Sequence, residues 1–142
     1  MDVPVSLEYS VEGDDFLAAG EASNNIKETL KMLGVPSPIC RRAAVVTYEM
    51  EMNLVIHAGG GTLKAMIYPD KLEILTIDQG PGIPDVEKAL QEGWSTAPDH
   101  IREMGFGAGM GLPNIRKNSD IFEIQTEVGR GTTVRSVIAF SA

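Results

Sequence analysis

The sequence predicts an α+β protein, a two-layer sandwich in which helices cover one face of a mixed, mostly antiparallel sheet. Two pairs of strand-like runs are each joined by a short turn, and such turns favour antiparallel pairing. Two helical segments come before the first pair of strands, and further helical segments separate it from the second pair. The length of 142 residues, 43% of them apolar, fits one domain over residues 1–142 with a substantial core.

The first half of the chain predicts a strand and two helices. Apolar and polar residues alternate from Val3 to Val11, as in a half-buried strand. Helical spacing of apolar residues then runs from Phe16 to Leu33, and Gly34 stands where helices commonly end. A second helix is expected from Ile39 to His57 or Ala58, stopped by a glycine turn at residues 59–61.

The second half predicts two hairpins separated by helices. Strands over 62–68 and 71–77 flank Pro69-Asp70, and a short helix runs from Pro84-Asp85 to about Glu92. Residues 93–108 show no periodicity, and we expect a mobile loop of the kind that often serves as a lid. A helix over 109–118 and strands over 120–127 and 132–140 follow, the strands flanking a turn at residues 129–131.

Charge and cysteine content exclude several classes of protein. Twelve basic and 20 acidic residues give a formal net charge of -8, which argues against nucleic acids and anionic membranes as partners. The single cysteine, Cys40, cannot build a disulfide framework. No signal peptide and no run of roughly 20 apolar residues is present, so we expect a cytoplasmic protein.

Three polar residues are spaced at four-residue intervals on the second predicted helix. Glu49, Asn53 and His57 share one stripe among apolar neighbours. A carboxylate and an amide at this spacing can act as a base and as a metal ligand. Taken alone, a solvated helix face with a capping histidine is the commoner explanation. Glu51 lies about 200° around the helix from Asn53 and cannot share that site.

Two glycine-containing segments are candidates for ligand binding. Asp78 ends an apolar strand and enters Gly80-Pro81-Gly82, where an acid can accept from an exocyclic amino group and glycines let a flat ring approach. A strand-ending aspartate followed by a turn is the alternative. The run from Gly105 to Leu112 precedes a helix and could aim backbone amides at phosphate, although a flexible hinge would also explain it. It matches neither the P-loop nor the dinucleotide fingerprint.

Together these segments resemble the GHKL ATP-binding superfamily, which includes gyrase, the heat-shock chaperone, histidine kinases and mismatch-repair ATPases. The resemblance covers roughly residues 41–138. The short chain resembles, within that superfamily, the anti-sigma-factor serine/threonine kinases of bacterial partner-switching systems, especially their switch-kinase branch. It rests on four motifs in register, Glu49-x-x-x-Asn53, Asp78-x-Gly80-x-Gly82, Gly107-x-Gly109-x-Gly111-Leu112 and Gly129-x-Gly131-Thr132.

The resemblance implies a role for each matching residue, within the histidine kinase-like ATPase fold. Asn53 would bind Mg²⁺ bridging the phosphates of ATP, and Glu49 would be the general base toward a serine of a protein substrate. Asp78 would accept from the adenine amino group, supported by Thr132. The residues implied to border the base are Gly80, Gly82 and Ile83; those implied to contact phosphates are Arg102, Gly105, Gly107, Gly109, Met110, Gly111 and Leu112. No role follows for His57.

The implied function is a kinase that transfers the γ-phosphate of ATP to a serine of an antagonist protein. A sigma factor or a phosphatase would be a further partner, and a homodimer is compatible with the resemblance. The alternative is a non-catalytic ATP-binding module that controls its partner through the conformation of the lid. A third reading, an ATPase subunit separated from a larger machine, fits the short chain poorly.

Overall fold

A computed structural model describes residues 4–15, 17–91 and 111–141, and over these ranges it confirms the predicted fold class. The sheet has five strands in the order β1-β2-β3-β5-β4, and every described strand pairing is antiparallel. The elements are β1 (Val5–Glu12), α1 (Glu21–Met32), α2 (Ser37–Ile56), β2 (Gly60–Ile67), β3 (Lys71–Ile77), α3 (Val86–Ala89), α4 (Gly111–Asn118), β4 (Ile121–Glu127) and β5 (Gly131–Ala139).

The core lies between the helices and one face of the sheet. Alternate residues of the central strands are buried, among them Leu63, Leu72 and Ile74, each fully inaccessible to solvent. Met50 and Leu54 of α2 pack into the same cluster, and burial of each such side chain contributes about 2 kcal/mol. Helix α2 contacts α1, α4 and the sheet, so it is the element around which the other helices are arranged.

Helix α1 starts later than its sequence pattern predicts. The predicted start was Phe16, which lies outside the described residues, but residues 17–20 form turns and the helix begins at Glu21. Gly20 has a left-handed φ of 98°, a conformation that an α-helix cannot contain. The predicted end is correct, since Gly34 has a φ of 80° and its N–H bonds to Lys31 O at 3.0 Å.

The predicted glycine turn after α2 is also partly wrong. Gly60 and Gly61 belong to β2 and pair with Glu12 and Val11. A Cβ on Gly61 would lie 2.5 Å from the carbonyl oxygen of Ile77. Glycine is therefore needed here for two reasons: the chain reverses after α2, and the start of β2 lies too close to β1 and to the end of β3 to leave room for a Cβ.

The remaining boundaries differ by a few residues. Helix α3 ends at Ala89, and its N-terminus is capped by Asp85 Oδ1, which accepts from Lys88 N at 3.1 Å. The predicted lid over residues 93–108 lies outside the described residues, as do residues 109 and 110 of the predicted fourth helix. Of the helices in the described ranges, none has the length and apolar character needed to cross a bilayer.

Candidate functional site

The structure brings Glu49 and Asn53 together at the first residue of α4. Both lie on α2, one turn apart, and both are half-buried. A Cβ built on Gly111 would lie 3.1 Å from Glu49 Oε2 and 3.2 Å from Asn53 Oδ1. Because glycine lacks that atom, the N-terminus of α4 can lie directly over these two oxygens. The predicted stripe on α2 therefore faces a helix N-terminus rather than open solvent.

Burial shifts the pKa of two members of this stripe. Desolvation raises the pKa of Glu49 above its ordinary value of 4.5 and lowers the pKa of His57 below 6.5. His57 stands at the C-cap position of α2, where its backbone N–H bonds to Asn53 O at 3.0 Å. His57 therefore marks the end of α2, within a residue of the predicted end. The shift at Glu49 moves a carboxylate toward the range useful for a general base.

Arg42 holds the other end of α4 against α2, and the sequence analysis did not identify this residue. Its guanidinium donates from Nε and Nη2 to Asn118 O at 3.1 and 2.9 Å. The same group forms an ion pair with Asp120 at 3.3 Å. Helix α2 thus contacts both ends of α4, through Arg42 at the C-terminus and through Glu49 and Asn53 at the N-terminus.

A second polar cluster forms around Asp78, which follows β3. Asp78 Oδ1 accepts from Gly80 N at 2.9 Å and from Thr132 N at 3.2 Å, and Asp78 N donates to Thr132 O at 3.0 Å. Within the described part of the chain, no hydrogen bond is made to Oδ2. The carboxylate is therefore oriented by two backbone amides, and its second oxygen remains available to a donor.

The segment from Gly80 to Ile83 lies between the end of α2 and the β4–β5 turn. A Cβ on Gly80 would be 2.6 Å from Ala58 O, and one on Gly82 would be 2.5 Å from Glu127 O. The structure thus shows that these glycines allow close approach of the protein's own backbone; their contact with a flat ring stays a prediction. Because Gly80 packs against the residues that follow α2, the Asp78 cluster adjoins the helix that carries Glu49 and Asn53.

Thr132 is bonded to a residue that the sequence analysis missed. Its Oγ1 lies 2.9 Å from Thr126 Oγ1, and Thr126 Oγ1 also accepts from Ile83 N at 2.8 Å. Thr126 and Thr132 are paired across β4 and β5. The available signal was their position on either side of the 129–131 turn, because residues that flank a hairpin turn face each other.

Some predicted phosphate contacts cannot be located. Arg102, Gly105, Gly107, Gly109 and Met110 lie outside the described residues. Leu112 is 9% exposed and its side chain belongs to the hydrophobic core. Any contact between Leu112 and a ligand would therefore come from its backbone.

The described residues fit a magnesium ion that is held mainly by a nucleotide. They contain no cluster of three or more His, Cys, Asp or Glu side chains that could hold a metal. Mg²⁺ typically takes one or two protein oxygens together with substrate phosphates and water. Asn53 Oδ1, next to the N-terminus of α4, can supply such an oxygen.

Comparison with known proteins identifies the family. The profile described as histidine kinase-, DNA gyrase B-, and HSP90-like ATPase matches residues 41–141. The chain belongs to this ATPase family. The matched range contains Glu49, Asn53, Asp78 and Thr132, and over its described residues, 41–91 and 111–141, the order of elements agrees with the sequence prediction.

Two curated relatives of this family member are named for their activities. The chain is 30% identical over 127 residues to "Serine/threonine-protein kinase RsbT" of Bacillus subtilis, covering 87% of each chain. It is 38% identical over 92 residues to "Anti-sigma F factor" of Caldanaerobacter subterraneus, and that match covers 61% of each chain.

Two solved structures support the ATPase fold. A chain of the SiaB–SiaC complex from Pseudomonas aeruginosa has a TM-score of 0.63 at 14% identity, covering 93% of this chain and 88% of that one. The mycobacterial sensor histidine kinase MprB has a TM-score of 0.53 at 15% identity, covering 95% and 97%. At these identities the likeness concerns the fold.

Proposed function

We propose that this family member is an ATP-dependent serine/threonine-protein kinase of a partner-switching system, transferring the γ-phosphate of ATP to a serine of an antagonist protein. The observation that carries the proposal is the placement of Glu49 Oε2 and Asn53 Oδ1 beside Gly111 at the start of α4. The relatives named as a serine/threonine-protein kinase and as an anti-sigma factor support it.

Recognition of adenine is assigned to Asp78. Its Oδ1 is occupied by the amides of Gly80 and Thr132, so Oδ2 accepts a hydrogen bond from the exocyclic amino group. A carboxylate that accepts two backbone amides is already oriented before the ligand binds. This preorganisation lowers the entropic cost of binding.

The phosphates are assigned to the region where α4 begins. Asn53 Oδ1 would hold Mg²⁺, which neutralises phosphate charge when bound, and the free N–H groups at the start of α4 would face the phosphate oxygens. With a net charge of -8, long-range attraction does not favour ATP. Local amides and the metal must therefore provide the attraction.

Glu49 is assigned the role of general base. The serine oxygen forms a bond to the γ-phosphorus, the bond from that phosphorus to the bridging oxygen of ADP breaks, and the serine proton passes to Glu49. Burial raises the pKa of Glu49, which makes the carboxylate a stronger base than one in water. Because phosphoryl transfer depends mainly on positioning, the neighbouring Asn53 and Gly111 matter as much as the base.

The proposal includes a cytoplasmic location and a single domain over residues 1–142. ATP and the proteins of a bacterial partner-switching system are both found in that compartment. Cys40, a free and buried thiol in the structure, is compatible with reducing conditions.

Phosphotransfer from labelled ATP to the antagonist protein encoded beside this chain tests the proposal. Glu49→Gln should bind ATP in calorimetry but lose serine labelling. Glu28→Gln, at an exposed position on α1, is the matched control and should label as the wild type does. Labelling by Glu49→Gln at the wild-type rate would remove Glu49 from this role. Wild-type binding of ATP without any labelling would instead favour the non-catalytic module.

A further inference from the structure

Helix α2 carries a stripe of exposed residues that neither the core nor the proposed nucleotide site uses. Arg41, Val45 and Tyr48 are spaced by four and then three residues, so they share one face of the helix. Val45 and Tyr48 are 38% and 37% exposed, whereas Met50, on the opposite face, is fully buried. Two apolar side chains are therefore exposed to solvent in line with a cation.

This stripe (Arg41, Val45 and Tyr48) leads to the proposed base. Glu49 comes one turn after Val45 and directly after Tyr48. At a rise of 1.5 Å per residue, Arg41 lies about 12 Å before Glu49 along the helix. The pKa of Tyr48 is raised above its usual value, first by burial and then by the charges of Glu49 and Glu51, so its phenol lies in the electrostatic field of the base. A protein segment laid along the stripe has one end at Glu49.

The stripe is bordered on both sides by parts of the chain that α2 holds in place. On one side, the turn before α1 approaches Tyr48, since a Cβ built on Gly20 would lie 3.8 Å from Tyr48 Cε1. On the other side, α4 is held by the bonds of Arg42 to Asn118 O at 3.1 and 2.9 Å. The stripe is thus the part of α2 that remains open between two neighbours.

The far end of the stripe is basic although the protein is acidic. Arg41 is exposed there, next to Arg42 in sequence, and the last turn of α4 adds Arg116 and Lys117. Four of the protein's 12 basic residues therefore lie toward one end of α2, against a formal net charge of -8. Asp120 pairs with Arg42, but within the described part of the chain neither Arg41 nor Arg116 takes part in an ion pair. Such a patch attracts a partner that carries carboxylates.

We propose that Arg41, Val45 and Tyr48 form the docking stripe for the segment of the antagonist protein that presents its serine. Apolar residues of that segment cover Val45 and Tyr48, and a carboxylate about 12 Å from the serine pairs with Arg41. This rests on the proposed kinase function and names the chemistry by which the protein substrate is selected. Because these contacts lie away from the reacting atoms, their loss weakens binding of the antagonist more than it slows the transfer step.

Initial rates of phosphotransfer to the antagonist protein encoded beside this chain, measured at saturating ATP, test the inference. Tyr48→Ala and Arg41→Glu should each raise the KM for the antagonist about tenfold and leave the Kd for ATP in calorimetry unchanged. Tyr48→Phe should keep that KM within about threefold of the wild type, because the ring provides most of the contact area. An antagonist whose acidic residue about 12 Å from the serine is replaced by lysine should restore the KM with Arg41→Glu.

Lys64→Glu and Ile121→Ala are the matched controls and should not change the KM. Both residues are exposed on the face of the sheet opposite the helices, Lys64 with 43% of its side chain and Ile121 at 48%.

A wild-type KM for the antagonist in Tyr48→Ala or in Arg41→Glu would overturn the inference. Equal losses of affinity for ATP and for the antagonist would show a merely structural role and would also overturn it. A changed oligomeric state of these variants at unchanged KM would assign the stripe to a second copy of this chain instead. Absence of serine labelling by the wild type would overturn the proposed function itself.

Discussion

Replacement of Asp78 by asparagine tests the adenine site most directly. Asp78 Oδ1 accepts from Gly80 N at 2.9 Å and from Thr132 N at 3.2 Å. The amide oxygen of asparagine can take over both bonds, but its NH₂ group then replaces the oxygen that should accept from adenine. Rotating the amide by 180° would place that NH₂ against two backbone donors. Neither orientation satisfies the protein and the base together.

This geometry predicts a loss of folding stability and a larger loss of affinity for ATP. A hydrogen bond to a charged group stabilises by about 1.5–3 kcal/mol and one to a neutral group by about 1 kcal/mol. For two bonds the expected loss of folding stability is about 2 kcal/mol, a fall in Tm of about 6 °C. Losing the charged acceptor and leaving the adenine donor unpaired should cost about 3 kcal/mol, or about 100-fold in Kd.

Calorimetry and thermal unfolding separate the two effects. Asp70→Asn, in the exposed β2–β3 turn, is the control and should change neither the Kd for ATP nor Tm. A purine nucleotide without the amino group should bind wild-type protein weakly, and Asp78→Asn should no longer distinguish it from ATP. A Kd for ATP within threefold of the wild type in a folded Asp78→Asn variant would refute the assignment of this residue to adenine.

Three further predictions concern α2. The acidic limb of the kcat/KM profile should lie above pH 4.5, because burial raises the pKa of Glu49 and protonation inactivates the proposed base. The same raised pKa means that the folded wild type loses stability as the pH rises and Glu49 becomes charged. Glu49→Gln carries no charge at any pH, so in thermal unfolding it should become more stable relative to the wild type as the pH rises. Glu51→Gln should lose about 3 kcal/mol in urea unfolding, because a buried NH₂ would face backbone donors of α1, and no comparable loss is expected for Glu28→Gln. Arg42→Ala should lose about 1–2 kcal/mol of unfolding free energy and have a lower kcat. Asp120→Asn, which removes only the ion pair, should lose less unfolding free energy.

The hairpins could be predicted from the sequence, but the order of strands could not. Local alternation and the Pro69-Asp70 turn specify β2 and β3, and their pairing follows from the short connection. The position of β5 between β3 and β4 depends on contacts between distant segments, such as Lys71 with Ala139. Periodicity within each strand contains no information on which strand becomes its neighbour.

The site shows the same division between local and distant information. The four-residue spacing of Glu49 and Asn53 was readable because a helix places such residues on one face. The closeness of Gly111 to both side chains, and the hydrogen bonds that Thr126 shares with Thr132 Oγ1 and with the N–H of Ile83, join parts of the chain that are far apart or meet only through the fold. Sequence motifs therefore identified the residues to which ligand binding is assigned more readily than the residues that support them.

Glu51 shows why residue type and helical position alone do not determine a role. Its side chain is 2% exposed, and its two oxygens accept from Gly20 N at 3.0 Å, Ala22 N at 3.4 Å and Ser23 N at 3.0 Å. These amides at the start of α1 have no acceptor within the helix, and the N-cap residue of α1 supplies no side-chain cap. Glu51 therefore takes the place of the cap. Helix α2 thus carries two carboxylates two residues apart, one fixing a neighbouring helix and the other, Glu49, directed to α4. Since a buried carboxylate is tolerated only where donors satisfy it, the amides at the start of α1 occupy Glu51, and of the two carboxylates only Glu49 is left for the proposed role of general base.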